Sequence, residues 1–171
     1  MARVQQILIA RIFNPMGPGQ DERHLCGALC SQLAAIRAGV LPPVLEVGTL
    51  DTTRDFVDAM DVARALTILV RRGEPGRIYN VASGRETAVE TILNTALRLS
   101  GLQELELRRL SRRPGEIPRV VAGISRLRAL DFAVSRSIDD SLRDILNYYD
   151  EVVRTASTAL TTPRTGHSVE V

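Results

Sequence analysis

Short apolar runs separated by turn-forming residues predict the strands of this chain. Residues 7–13 form an apolar run rich in β-branched side chains, which ends at the Pro/Gly-rich stretch 14–19. A buried strand that enters a tight loop has this pattern. Residues 44–47, 77–81 and 104–107 are further strand candidates, and the last of these alternates as a half-exposed strand does.

Helical spacing of apolar residues places helices between these strands. The first is expected to end at Gly39, and Thr87 with Glu90 fits a capping box at the start of the third. A short helix is expected over residues 125–130. The predicted apolar faces of the other helices are Leu25, Leu29, Leu33 and Ile36; Val62, Ala63, Leu66, Leu69 and Val70; Val89, Ile92, Leu93, Ala96 and Leu99; and Ile138, Leu142, Ile145, Leu146 and Tyr149. The alternation of strand and helix predicts an α/β fold.

The chain ends in a segment without periodicity. From about residue 155 the sequence is rich in Thr and Ser and contains Pro163 and Gly166. We therefore expect a disordered tail over residues 155–171. The sequence has neither an apolar run of the ~18–20 residues that a membrane span needs nor a signal-peptide pattern, so we expect a cytoplasmic protein.

The charges exclude several kinds of chemistry. The 22 basic residues are all Arg, the acidic residues number 20, and the net charge is +2. Nucleic-acid binding usually needs a denser basic surface, so we do not expect it. Without Lys, Schiff-base and Lys-assisted chemistry cannot come from this chain.

A few Arg residues in loops are candidates for anion binding. Arg54 follows the loop 48–51, and Arg112 and Arg113 lie in a Pro/Gly-containing loop. Two guanidinium groups from separate loops can clamp a diphosphate through paired hydrogen bonds. Solvated surface Arg residues would give the same pattern, and spacing alone favours that simpler interpretation.

The other polar candidates have simple structural explanations. Asp58 and Asp61 are three residues apart near a helix start, where carboxylates favour the positive end of the helix. Asp139 and Asp140 have the same explanation. Cys26 and Cys30 are expected to be small core residues. No metal site is predicted.

Five segments in order resemble the extended short-chain dehydrogenases/reductases of the NAD-dependent epimerase/dehydratase type. They are Arg-Ile-Phe-Asn-Pro-Met-Gly-Pro-Gly-Gln at 11–20, Val-Gly-Thr-Leu-Asp-Thr-Thr-Arg-Asp-Phe-Val at 47–57, Asp-Val-Ala-Arg-Ala at 61–65, Tyr-Asn-Val-Ala-Ser-Gly at 79–84 and Arg-Pro-Gly-Glu-Ile-Pro at 113–118. The second is similar to the Gly-Asn-Leu-Asp version of the GDP-mannose 4,6-dehydratase and GDP-4-keto-6-deoxymannose reductase branch. dTDP-glucose dehydratases and UDP-sugar epimerases are close alternatives.

The resemblance implies a role in binding a nucleotide-diphosphate sugar. It implies that Asn14 hydrogen-bonds the ligand near its diphosphate, that Arg54 and Arg113 hold the diphosphate, and that Glu116 lies near the nucleotide ribose. Val47 is placed with these substrate-binding residues. Arg11 lies on the strand that borders the nicotinamide cofactor in the family.

The departures from the family pattern imply that the chain is incomplete as an enzyme. The family's Gly-rich NAD(P) loop, its catalytic Ser/Thr and its Tyr-x-x-x-Lys pair precede the segment at 11–20, and this chain has no Lys. Pro15 stands where many reductases have His, and Thr49 replaces the usual Asn. The catalytic set is therefore expected to be absent, and NAD(P) to belong to the parent family rather than to this chain alone.

Together these observations predict the C-terminal substrate-binding domain of a Rossmann-type extended short-chain dehydrogenase/reductase, lacking most of the Rossmann sheet. Residues 1–20 are expected to be a remnant strand and loop of the Rossmann domain, residues 21–154 the α/β binding domain, and residues 155–171 the tail. Two alternatives remain open: a non-catalytic module that self-associates, as an unpaired strand edge would favour, and one subunit of a split enzyme whose partner carries the Rossmann half.

Overall fold

The computed structural model describes residues 6–102, 104–111 and 114–161 and has an α/β arrangement. Its helices are α1 (Leu25–Arg37), α2 (Ala59–Arg72), α3 (Val89–Ser100), α4 (Ser125–Arg128) and α5 (Ile138–Thr161). Its strands are β1 (Ile9–Ile12), β2 (Pro15–Met16), β3 (Val44–Val47), β4 (Thr53–Arg54), β5 (Val57–Asp58), β6 (Ile78–Val81), β7 (Thr87–Ala88), β8 (Glu106–Arg109) and β9 (Arg119–Val120).

The strands pair across long sequence separations. β1 pairs in parallel with β6, β2 with β5, and β3 with β8. The central strand of a three-stranded sheet is β4, which is antiparallel to β7 and parallel to β9. These pairings bring the chain around residues 14, 54 and 116 to one side of the molecule.

Two apolar clusters account for most of the described core. The larger one unites α1, α3, α5 and β3, and its fully buried side chains include Leu33, Leu45 and Ile145. The smaller one packs α2 against β5, β6 and the segment that contains Leu127 and Phe132. Cys26 and Cys30 lie in the larger cluster, so the expectation that they are core residues is confirmed.

Helix boundaries follow the expected local signals at several points. α1 ends just before Gly39, whose φ of 71° is a left-handed conformation that glycine adopts without strain. Asp58 is the N-cap of α2, and its carboxylate accepts a hydrogen bond from the Met60 N–H at 2.7 Å. The structural explanation for Asp58 is therefore confirmed.

The predicted capping box at α3 is wrong. The residue that precedes the helix is Ala88, which makes no side-chain cap. Thr87 instead belongs to β7 and pairs with Arg54, while the Val89 N–H donates to the Thr52 carbonyl at 2.9 Å. Tertiary strand pairing thus satisfies a donor that a cap would otherwise satisfy.

Three further expectations need correction. Val70 is 86% exposed, Leu66 is 38% exposed and Ala63 is also exposed, so none of the three lies on the buried face of α2. β8 begins two residues later than expected and is exposed along its length, since it covers only the edge of β3. Helix α5 continues to Thr161, so residues 155–161 are helical. The rest of the expected tail lies outside the described residues, and the division at residues 20 and 154 stays a prediction.

Candidate functional site

A cavity of about 710 Å³ opens where the loop after β1, helix α1 and the segments after β3 and β8 meet. Apolar and polar groups both line it. The residues that matter below are Asn14, Gln20, Cys26, Val47, Gly48, Arg54 and Glu116. Its size is in the range of pockets that hold small-molecule ligands.

Arg54 and Glu116 form a loose ion pair in this cavity. The Arg54 Nη2 and Glu116 Oε1 atoms are 3.9 Å apart, which is too long for a hydrogen bond. Arg54 Nη1 donates to the Thr53 carbonyl at 2.8 Å. Glu116 Oε2 is buried and accepts no hydrogen bond from any described residue. Both side chains therefore keep hydrogen-bonding capacity.

Asn14 is fixed at the same cavity by hydrogen bonds to the chain around Arg54. Its side-chain Nδ2 donates a hydrogen bond to the Asp55 backbone carbonyl at 2.9 Å. Its backbone carbonyl accepts a hydrogen bond from the Val57 N–H at 3.2 Å. Val47 ends β3 and is 2% exposed. Its carbonyl accepts from the Leu110 N–H at 2.8 Å, which holds two lining segments together.

Gln20 is a lining residue to which sequence reasoning assigned no role. Its side-chain Nε2 donates a hydrogen bond to the Pro15 backbone carbonyl. Its backbone carbonyl accepts a hydrogen bond from the Tyr149 hydroxyl at 2.6 Å. Its Oε1 is buried without a donor among the described residues. The only available signal was its position at the end of the segment 11–20, which carries part of the family resemblance.

The buried thiols offer no nucleophile to the cavity. Burial, together with the neighbouring Cys30, raises the pKa of Cys26 far above its usual range. Burial also raises the pKa of Cys30 to about 12. Both therefore remain thiols at neutral pH, in which form they react poorly.

The described part of the chain has neither a metal-binding cluster nor a helix that could span a membrane. No group of three or more His, Cys, Asp or Glu side chains there is arranged to hold a metal ion. No helix within residues 6–161, as far as they are described, combines the length and apolarity that crossing a membrane requires.

The structure brings together four of the residues singled out from the sequence: Asn14, Val47, Arg54 and Glu116 all line the cavity. Arg11 does not. It lies on β1, opposite Asn80 of β6, with an exposed side chain. Arg113, the second arginine of the expected clamp, lies outside the described residues.

Comparison with known proteins gives matches over most of the chain. The family model described as the NAD dependent epimerase/dehydratase family matches residues 2–82. The GDP-6-deoxy-D-mannose reductase of Pseudomonas aeruginosa is 33% identical over 154 residues, which cover 87% of this chain and 50% of that protein. The UDP-glucose 4-epimerase of Azospirillum brasilense is 32% identical over 139 residues, covering 71% of this chain and 38% of that protein.

The fold has similar neighbours among solved structures. The structure of RMD from Pseudomonas aeruginosa, complexed with NADPH, superposes with a TM-score of 0.80 at 34% identity and covers 86% of this chain and 49% of that one. The chain thus spans about half the length of these two Pseudomonas aeruginosa matches.

These matches define the class of protein. The chain has an α/β fold whose neighbours are Rossmann-like short-chain dehydrogenases/reductases. Within that class, the comparisons support the NAD-dependent epimerase/dehydratase family, whose sugar-nucleotide reductases and epimerases are the relatives found.

Proposed function

We propose that this chain is the nucleotide-sugar-binding portion of a sugar-nucleotide dehydratase, reductase or epimerase, of the GDP-mannose 4,6-dehydratase and GDP-4-keto-6-deoxymannose reductase type. The observation that carries the proposal is the convergence of Asn14, Arg54 and Glu116 on one cavity from distant parts of the chain. The similarity to a GDP-6-deoxy-D-mannose reductase favours GDP-linked sugars over UDP- or dTDP-linked ones.

The chemistry of the three side chains suits such a ligand. The Arg54 guanidinium presents planar donors that match diphosphate oxygens, and its pairing with Glu116 is too long to occupy them. The Glu116 carboxylate is an acceptor for ribose hydroxyl groups. The Asn14 amide is already held in place, so ligand binding need not order it.

We expect NAD(P) to be bound by the parent enzyme rather than by this chain alone. Arg11 is exposed and lies outside the cavity, and the sequence contains no Gly-x-Gly-x-x-Gly loop with which to bind a pyrophosphate. We therefore assign ligand binding to this chain and no hydride or proton transfer. By this proposal it does not catalyse the parent reaction alone.

Replacing Arg54 tests the proposal directly. We expect Arg54→Ala to weaken GDP binding about tenfold to a hundredfold, because a charged hydrogen bond contributes ~1.5–3 kcal/mol. Isothermal titration calorimetry with GDP, and with GDP-mannose, measures the change. Arg71→Ala is the matched control, since Arg71 is exposed on α2 away from the cavity. Equal affinities for both variants would refute the role of Arg54.

A second candidate concerns assembly. Strand β1 pairs with β6, and within the described residues its other edge takes no strand. Ile9 and Ile12 of β1 are 53% and 43% exposed, and Ile7, just before the strand, is 65% exposed. An open apolar edge of this kind favours pairing with another chain, so self-association or a partner chain remains the alternative to an independent binding domain.

A further inference from the structure

Asp55 is fully buried beside the cavity, and its carboxylate binds two distant segments of the chain. Its Oδ1 accepts hydrogen bonds from the Ser83 N–H at 2.8 Å and from the Ser83 hydroxyl at 2.6 Å. Its Oδ2 accepts from the Gly84 N–H at 3.0 Å and from the Ala122 N–H at 3.2 Å. The side chain is 0% exposed and does not line the cavity.

The backbone of Asp55 carries two of the ligand-binding candidates. Arg54 directly precedes Asp55 in the chain. The backbone carbonyl of Asp55 accepts the hydrogen bond from Asn14 Nδ2 at 2.9 Å. Fixing the Asp55 side chain therefore fixes the peptide that orients both Arg54 and Asn14. Because three of its four donors are backbone N–H groups, the anchor does not depend on flexible side chains.

We infer that Asp55 is the positioning residue of the ligand site: its carboxylate, clamped by Ser83, Gly84 and Ala122, holds Arg54 and Asn14 in their binding geometry. This inference rests on the proposed function for the identity of the ligand. Asp55 acts through its neighbours and touches no ligand itself.

The same structure provides a matched control at Asp61. Its carboxylate is also 0% exposed and accepts hydrogen bonds from the Ser135 N–H and hydroxyl, the Arg136 N–H and Arg64 Nη1. It does not line the cavity. In either position Asn places an NH2 group opposite N–H donors, so both variants lose stability by the same mechanism.

The experiment compares Asp55→Asn with Asp61→Asn in the full chain. Calorimetric titration with GDP, at a temperature where both variants are folded, is expected to show affinity reduced about tenfold or more for D55N and by less than about threefold for D61N. In addition, ¹⁵N relaxation of the Asn14 side-chain amide is expected to show greater mobility in D55N than in wild type, and no change in D61N.

Equal losses of affinity in the two variants, or an unchanged Asn14 amide in D55N, would overturn the positioning role. If the wild type does not bind GDP, the proposal of a GDP-linked ligand is refuted, and the relaxation comparison alone then tests the positioning role. Should D55N fail to fold, Ser83→Ala and Ser135→Ala replace the pair, since each removes the hydroxyl donor of one carboxylate. The expected difference is then about threefold in affinity.

Discussion

At the scale of single residues, the cavity depends on how closely its loop approaches helix α1. A Cβ atom at Gly27 would lie 2.5 Å from the carbonyl oxygens of Gln20 and Asp21, so only glycine fits there. The same loop is held from the other side by the hydrogen bond from the Tyr149 hydroxyl to the Gln20 carbonyl. Gly27 therefore sets the position of a cavity wall without lining the cavity.

Replacing Gly27 by Ala is expected to lower the free energy of unfolding by about 1–3 kcal/mol, because backbone rather than a flexible side chain must move. Urea denaturation measures this. Gly123→Ala is the control, since a Cβ there meets nothing within 4 Å. A G27A variant as stable as G123A would show that the loop adjusts freely.

The sequence predicted some residues of the cavity and not others. Asn14, Arg54 and Glu116 were identified through resemblance, whereas spacing alone favoured a solvated surface role for Arg54. The role of Asp55 could not be predicted, because its hydrogen-bond partners are 28 to 67 residues away in the sequence. The role of Gly27 could not be predicted either, because it depends on how closely the loop at Gln20 and Asp21 approaches helix α1. Only tertiary structure reveals such partners.

At the scale of elements, the apolar pattern predicted helix α2 but not all the residues of its buried face. Val62 and Leu69 are buried as expected, whereas Ala65, which the predicted face did not include, is buried in place of Ala63 and Leu66. Val70 matched the pattern but is 86% exposed and does not belong to the smaller apolar cluster. The pairings of β1 with β6 and of β3 with β8 could not be predicted, since no local signal specifies a distant strand partner.

The start of α2 is tied to the segment before α5 through Asp61. Burial pushes the pKa of Asp61 upward, but hydrogen bonds from the Ser135 side chain, the Arg136 and Ser135 backbone and the Arg64 side chain outweigh it and lower the pKa below 3.8. The ionised carboxylate is thus favoured in the folded state. Its contribution to stability is complete above the unfolded pKa of 3.8 and is lost as pH falls through the lower folded value.

We therefore expect wild type to be more stable than Asp61→Asn at neutral pH, with the difference shrinking below about pH 4 as the carboxylate is protonated. Urea denaturation between pH 3 and pH 7 measures the two free energies of unfolding. A difference that stays constant over this range, or grows on acidification, would contradict the assignment of the lowered pKa to this network.

At the scale of the whole molecule, the described residues combine a cavity with a strand, β1, that has no partner strand on one edge among them. The cavity and the hydrogen-bond network around Asp55 lie within the chain, whereas Ile9 and Ile12 of β1, and Ile7 just before it, are exposed to solvent. The chain spans about half the length of the two Pseudomonas aeruginosa matches.

Analytical ultracentrifugation tests the open edge. The account predicts concentration-dependent association of the purified chain, reduced in Ile9→Lys, because a charge on a strand edge opposes strand pairing. Thr67→Lys on the exposed side of α2 is the control for added charge. If wild type sediments as a monomer at all concentrations, self-association through β1 is ruled out. Pairing of β1 with a different partner chain is then the only assembly proposal left.

The central claim is that the cavity around Arg54 binds a nucleotide-diphosphate sugar, and mapping the binding site by NMR tests it most directly. GDP-mannose is titrated into the ¹⁵N-labelled chain while the backbone amide shifts are followed. The account predicts saturable shifts concentrated at Asn14, Gly48, Arg54 and Glu116, with little change at β1. Shifts confined to other surfaces, or no shifts with GDP-, UDP- and dTDP-sugars alike, would contradict it.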